Sequence, residues 1–146
     1  MQTLPLGFLL DLKASGQLAS DNLDSADQLG GAGPYSVRAF PQGERFGDQG
    51  LLFTAELSHA LPMPRAWGQW QGTVFYDQAT IWTSTNPSPA NTDNQRTLGG
   101  GGLGLRWNYR NQWTARADAA WRATGGAPEA AGGRNPQLWA GLGYQF

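Results

Sequence analysis

Leu98 to Arg122 reads LGGGGLGLRWNYRNQWTARADAAWR. Two runs of alternation flank a three-residue break. In the first run Leu103, Leu105, Trp107 and Tyr109 occupy every second position, against Gly102, Gly104, Arg106 and Asn108. In the second, Trp113, Ala115, Ala117, Ala119 and Trp121 stand against Thr114, Arg116, Asp118 and Arg122. A period of two sends the apolar set to one face of an extended chain and the polar set to the other. The break at Arg110 to Gln112 is too short for a crossover, so the two runs pair as antiparallel neighbours.

The same period recurs on both sides of this hairpin. Over 7–19, Phe8, Leu10, Leu12, Ala14 and Leu18 share a face opposite Leu9, Asp11, Lys13, Ser15 and Gln17. Over 50–61, Leu51, Phe53, Ala55, Leu57 and Leu61 oppose Thr54, Glu56 and Ser58, and over 67–82, Trp70, Val74, Tyr76 and Trp82 oppose Gln69, Gln71, Thr73 and Asp77. The last run, 137–146, sets Leu138, Ala140, Leu142, Tyr144 and Phe146 against Gln137, Gly141, Gly143 and Gln145. Only His59 and Trp139 break the rule. The expectation is an all-β chain, an antiparallel meander of about six strands.

Composition narrows the class. Lys+Arg and Asp+Glu stand at 10 and 11 of 146 residues, which gives no basic patch for nucleic acid and no acidic tail. Cysteine is absent, excluding disulfide scaffolds and thiolate metal sites. No apolar run reaches the length of a membrane helix, yet that leaves a membrane barrel open, because its strands are apolar on one face only. The connectors separate a soluble sandwich from a barrel. They run long (20–49), short (62–66), long (83–97), short (110–112), long (123–136), the rhythm of outer-membrane barrels with tight periplasmic turns and long external loops. Trp67, Trp70, Trp107, Tyr109, Trp113, Tyr144 and Phe146 then fall near one rim, and Trp82 and Trp121 near the other, as interfacial belts do.

The longest connector is unusual for a loop. Leu29 to Gly50 reads LGGAGPYSVRAFPQGERFGDQG, with one permanent charge, Arg38, inside the apolar knot of Val37, Ala39 and Phe40. This segment resembles the loop motif of the two-partner secretion transporters, the haemolysin secretion/activation (ShlB/FhaC/HecB) family. The family's Val-Arg-Gly/Ala-Tyr/Phe, followed by Pro, a Gly-Glu pair and a Gly-Asp pair, is matched by Val37 to Pro41, Gly43, Glu44, Gly47 and Asp48. The ending GLGYQF, with Leu142, Tyr144 and Phe146 at alternate positions, resembles the signal read by the barrel-assembly machinery.

The resemblance implies several things. The chain would be the C-terminal part, residues 1–146, of a 16-stranded transmembrane β-barrel, since six strands cannot close one and the smallest closed examples have eight. MQTLPLGFLLDLK has neither a basic start nor a cleavage site, so the expected reading is a fragment lacking signal peptide, plug helix, periplasmic POTRA domains and ten strands. The loop at about 20–49 would fold inward, and Arg38 would meet the aspartate of a Phe-x-Asp-x-Gly pattern, matched by Phe75, Asp77 and, in place of the glycine, Ala79. Phe40 is expected on the inner wall beside the third strand. The implied function is secretion of a partner exoprotein across the outer membrane of a Gram-negative cell, with lipid and the assembly machinery as further partners, no nucleic acid and no cofactor. A barrel of the BamA-like assembly superfamily and a small soluble ligand-binding β-barrel are the alternatives.

Enzymatic readings find no support. His59 is the only histidine and its neighbour Ser58 points to the opposite face of a strand, so no nucleophile and base can pair there. Asp21, Asp24 and Asp27 lack the glutamate and spacing of a calcium loop and read as solvated residues. The run Gly99 to Gly104 lacks the Lys-Ser/Thr of a phosphate loop; in a strand, its use is to let another segment approach closely.

Overall fold

The computed structural model describes residues 2–3, 7–89 and 93–146. Its strands are β1 (Gln2–Thr3), β2 (Phe8–Gln17), β3 (Leu29–Gly30), β4 (Phe46–Gly47), β5 (Gln49–Leu61), β6 (Gln69–Trp82), β7 (Gln95–Tyr109), β8 (Trp113–Thr124) and β9 (Gln137–Tyr144). One antiparallel sheet runs in the order β1-β2-β5-β6-β7-β8-β9. The six long strands expected from the alternation are therefore present as a meander, and the sheet is open, with β9 and β1 at its two ends. The two-residue β1 and the small ribbon β3–β4 inside the long loop were not anticipated, because two residues carry no period.

Parity along each strand decides what is covered. Leu51, Val74, Leu103 and Leu142 point to one face and are 55–70% exposed. On the other face Phe75, Asp77, Ala79, Ile81, Leu98, Asp118 and Ala120 are buried. This inverts the soluble pattern, in which a sheet hides its oily face and wets the other. The buried cluster forms where Val37, Ala39 and Phe40 of the long loop pack on Phe75, Ala79, Ile81, Leu98 and Ala120 of the wall. No helix among the described residues is long and apolar enough to cross a membrane, which says nothing of a β-barrel.

Register stacks the site residues across the sheet. Thr54, Asp77, Gly100 and Arg122 lie in one cross-strand row, Glu56, Phe75, Gly102, Ala120 and Gln137 in the next, and Ser58, Thr73, Gly104, Asp118 and Trp139 in a third. All three rows face the loop side. A bulge at Gly99/Gly100 shifts the pairing of β7 with β8, so that Gly99 meets Thr124 and Gly100 meets Arg122.

The short connectors share one end. Arg110 (φ 55°) and Asn111 (φ 56°) are both left-handed, as the primed hairpin turns require, and the Gln112 amide donates to the Tyr109 carbonyl. Between β5 and β6 a single 3-10 turn, Arg65–Trp67, makes the corner, and its Trp67 carbonyl accepts from the indoles of Trp70 (3.1 Å) and Trp107 (2.7 Å). Trp107 stacks on Tyr109, and Trp113 lies 4.6 Å from Tyr144, which neighbours Phe146. These rings make a band along the short-turn rim. His59, one of the two rule-breakers, keeps its parity and stacks on Phe8 at 4.5 Å on the apolar face.

Candidate functional site

The loop between β2 and β5 returns over the polar face of the sheet and turns tightly at its tip. Gly31 donates to Arg45, Gly33 to Val37, and Phe40 to Val37, so the tip is braced by its own backbone before it meets the wall. Gly33 (φ 127°) sits in a conformation that other residues rarely adopt. The turn drives Val37, Ala39 and Phe40 into the apolar cluster and aims Arg38 between β5 and β6.

Arg38 is held on every side. Its Nε donates to Asp77 Oδ2 at 2.8 Å and its Nη2 to Oδ1 at 3.0 Å, the fork geometry that fixes orientation as well as distance. Its backbone N–H donates to the same carboxylate at 3.2 Å. Nη1 reaches Glu56 at 2.9 Å, and the guanidinium carbon lies over the Phe75 ring, 3.3 Å from its centroid. Thr54 Oγ1 donates to the remaining side of Asp77 at 3.0 Å. The Arg38 and Asp77 side chains are 7% and 1% exposed, so water is excluded from the pair.

Charge is balanced around it. Arg106 Nη1 reaches Asp118 at 2.7 Å, Arg116 Nε lies 3.5 Å from the same carboxylate, and Asp118 is 3.8 Å from Arg38. Arg38, Arg106 and Arg116 thus face Glu56, Asp77 and Asp118, three cations against three anions. Arg116 extends outward from this group to the Pro34 carbonyl (2.7 Å) and to the ring of Tyr35 (4.7 Å), holding the loop just before its tip. Without their partners these charges could not be buried on a sheet face.

The structure brings Val37, Arg38, Ala39 and Phe40 of the loop together with Phe75 and Asp77 of β6. Leu142, Tyr144 and Phe146 lie elsewhere, exposed on the apolar side of the final strand and beyond it. Phe40 packs in the cluster with Phe75, Ala79 and Ile81 of β6 and also reaches beyond that strand. Its ring is 5.9 Å from the Arg122 guanidinium and lies close to Leu98 and Gly125, at the ends of β7 and β8. The glycine-rich stretch of β7 makes room for this reach. A Cβ on Gly100 would collide with that of Ala39, and one on Gly102 with the Phe75 ring. The run leaves a trough in which the tip lies across β6 and β7.

Sequence reasoning missed three contributors. Trp139, the second rule-breaker, points to the polar face and donates its indole N–H to the Arg38 carbonyl at 2.8 Å. Its exception to the alternation was the available signal. Glu44 and Asp48 appear in the motif, but nothing in one sequence says what they bind. Glu44 accepts from the amides of Glu129 and Ala130 (2.9 Å each) and from Arg96 (2.9 Å). Asp48 accepts from Gln28 Nε2 and the Thr85 amide, both at 2.9 Å. Asp21, Asp24 and Asp27 stay exposed, and no group of carboxylates or histidines among the described residues could hold a metal.

The hydrogen bonds from Gln28, then Thr85 and Leu23, hold the Asp48 carboxyl below its ordinary value of 3.8, against the opposing effect of burial. A lowered value means that the fastening is complete above pH 3.8 and is lost as the pH falls through the folded value. Acidification from pH 6 to pH 3 should therefore loosen the loop next to Asp48, read as a smaller protection of the Thr85 amide relative to its intrinsic exchange rate at each pH. Asp48→Asn should remove that pH dependence, leaving Thr85 weakly protected at both pH values.

Residues 3–107 match the family model described as haemolysin secretion/activation protein ShlB/FhaC/HecB. No curated protein and no solved structure matches.

Proposed function

The chain belongs to the haemolysin secretion/activation family ShlB/FhaC/HecB, and on that premise we propose that its sheet is an arc of an outer-membrane pore secreting a partner exoprotein. The observation that carries the reading is the inverted burial. Large apolar side chains line one face in the open while a charged loop is packed and ion-paired on the other. Lipid would cover the first face and the lumen would enclose the second. The open edges need further strands, because hydrocarbon cannot solvate unpaired backbone amides, so the arc is read as part of a larger closed barrel. The aromatic band at the short-turn rim would sit at the periplasmic interface. In this reading Arg38 and Asp77 are a latch that seats the loop in the pore, and secretion requires the seated loop.

The test is secretion by the full-length protein. With Glu56→Gln, which withdraws one of the carboxylates on Arg38, the amount of exoprotein in the medium should fall several-fold while the transporter remains in the outer-membrane fraction. Recovery of the wild-type transporter in the soluble fraction would remove the reading. A second expectation concerns assembly. Phe146 is fully exposed and close to Tyr144, so it is free to be read by the assembly machinery. Deleting it should lower several-fold the amount of heat-modifiable, folded barrel in the outer membrane.

A further inference from the structure

The latch residues lie at the tip of the long loop, yet the loop is fastened a second time near its return to the sheet, by two carboxylates with no place in the proposed pore chemistry. Glu44 is buried, with its side chain fully enclosed. Its two oxygens take the backbone amides of Glu129 and Ala130 at 2.9–3.0 Å and the Arg96 guanidinium at 2.9 Å. Arg96 also donates to the carbonyls of Gly125 (2.8 Å) and Ala127 (3.0 Å), so one ion pair organises the connector between β8 and β9 around the loop. Asp48, 1% exposed, does the same for the connector between β6 and β7 through the Thr85 amide.

The neighbouring contacts continue the pattern. The Asn22 side chain accepts from the Asn86 amide at 2.8 Å, Asn86 Nδ2 donates to Asp21 at 3.2 Å, and Gln49 Nε2 donates to both Ala19 and Thr85. Alternation of long and short connectors places all three long ones at the same end of the sheet. Withdrawing the tip from Asp77 while Glu44 and Asp48 stay bound would leave the loop base in place, because each carboxylate is tied to a different connector.

We infer that Glu44 and Asp48 are positioning residues that bind the three long connectors into one cap, and that this cap, together with the Arg38 latch, decides whether the loop leaves the polar face. The inference rests on the pore reading for its biological meaning, but its geometry concerns this chain alone. It makes loop release conditional on the outer connectors: a molecule engaging Thr85 and Asn86, or Glu129 and Ala130, would weaken the hold on a loop whose tip is elsewhere.

The chain has no cysteine, so a single introduced one reports without background. Val37→Cys puts a smaller side chain on the loop tip itself, at a position 1% exposed where the tip meets the wall. Labelling by a bulky maleimide, on purified full-length protein folded in detergent, measures how often the loop lifts. Adding Glu44→Gln or Asp48→Asn should speed labelling about tenfold each, the effect of weakening a charge-assisted, buried hydrogen-bond set. Amide-exchange protection along β6 and β7 serves as the control and should be unchanged in both variants. Unchanged labelling at Val37→Cys in both variants overturns the inference, and so does a matching loss of protection along β6 and β7, which would mean general loosening of the wall. Because labelling is read on the isolated folded protein, it decides the question whatever the secretion assay returns, and a failed secretion assay would remove the pore reading without touching the cap.

Discussion

Arg38→Ala is expected to be more damaging than Asp77→Ala, although each removes one half of the same pair. Asp77 keeps only two neutral donors once the guanidinium is gone, the Thr54 hydroxyl and the backbone N–H of position 38, whereas Arg38 keeps Glu56 at 2.9 Å, Asp118 at 3.8 Å and the Phe75 ring. Stranding a dry carboxylate costs on the order of 3–5 kcal/mol, enough to undock the loop in most molecules, and the reverse deletion should fall well short of that. Protease cleavage within residues 33–43 of the full-length protein reads the difference directly, and secretion should follow the same order. Reversing both charges should recover little. An aspartate at position 38 would face Glu56 and Asp118, which the native guanidinium neutralises. Full recovery by the double reversal would mean that the pair acts in isolation from this network.

Gly100→Val should be the most disruptive substitution on the wall. A Cβ there would collide with Ala39 and lie 2.5 Å from the Trp121 carbonyl oxygen, so both the loop and the β7–β8 pairing have to give. Overpacking of this kind costs about 1–3 kcal/mol where the surroundings can shift, and more where backbone is in the way. Loop cleavage by protease should rise at least tenfold. Ala39→Gly in the same chain relieves the loop half of the clash and leaves the half against Trp121, so recovery should be partial. A Gly100→Val protein with the loop still protected would show that the trough is not what seats the tip.

The long strands could be read from the sequence because a period of two survives every local irregularity that leaves one face buried. Asp77 and Phe75 were legible for the same reason, since parity put both on the polar side and the motif supplied a partner. The reach of Phe40 beyond β6 was not. It depends on the absence of side chains along β7, which lets the tip lie close against that strand. Glu44 and Asp48 were visible as letters of a motif, but their partners are backbone amides of other connectors, and a backbone amide leaves no mark in a sequence. Trp139 was visible only as an error in the alternation. An apolar residue on a polar face is a sign that something covers that face.

The bond from Trp139 to the Arg38 carbonyl joins residues 101 positions apart. Arg38 can meet Glu56 and Asp77 once β5 and β6 exist, within 39 residues of its own position. The indole can arrive only after β7, β8 and β9 are laid in register, since β9 is the end of the sheet. Contacts of such separation form late, after the chain entropy between their ends has been lost to other pairings. A fully seated loop is therefore a record of history: it reports that the strand order behind it was completed without a slip. A register error of one residue in β9 would turn Trp139 to the oily side and leave the Arg38 carbonyl without its donor.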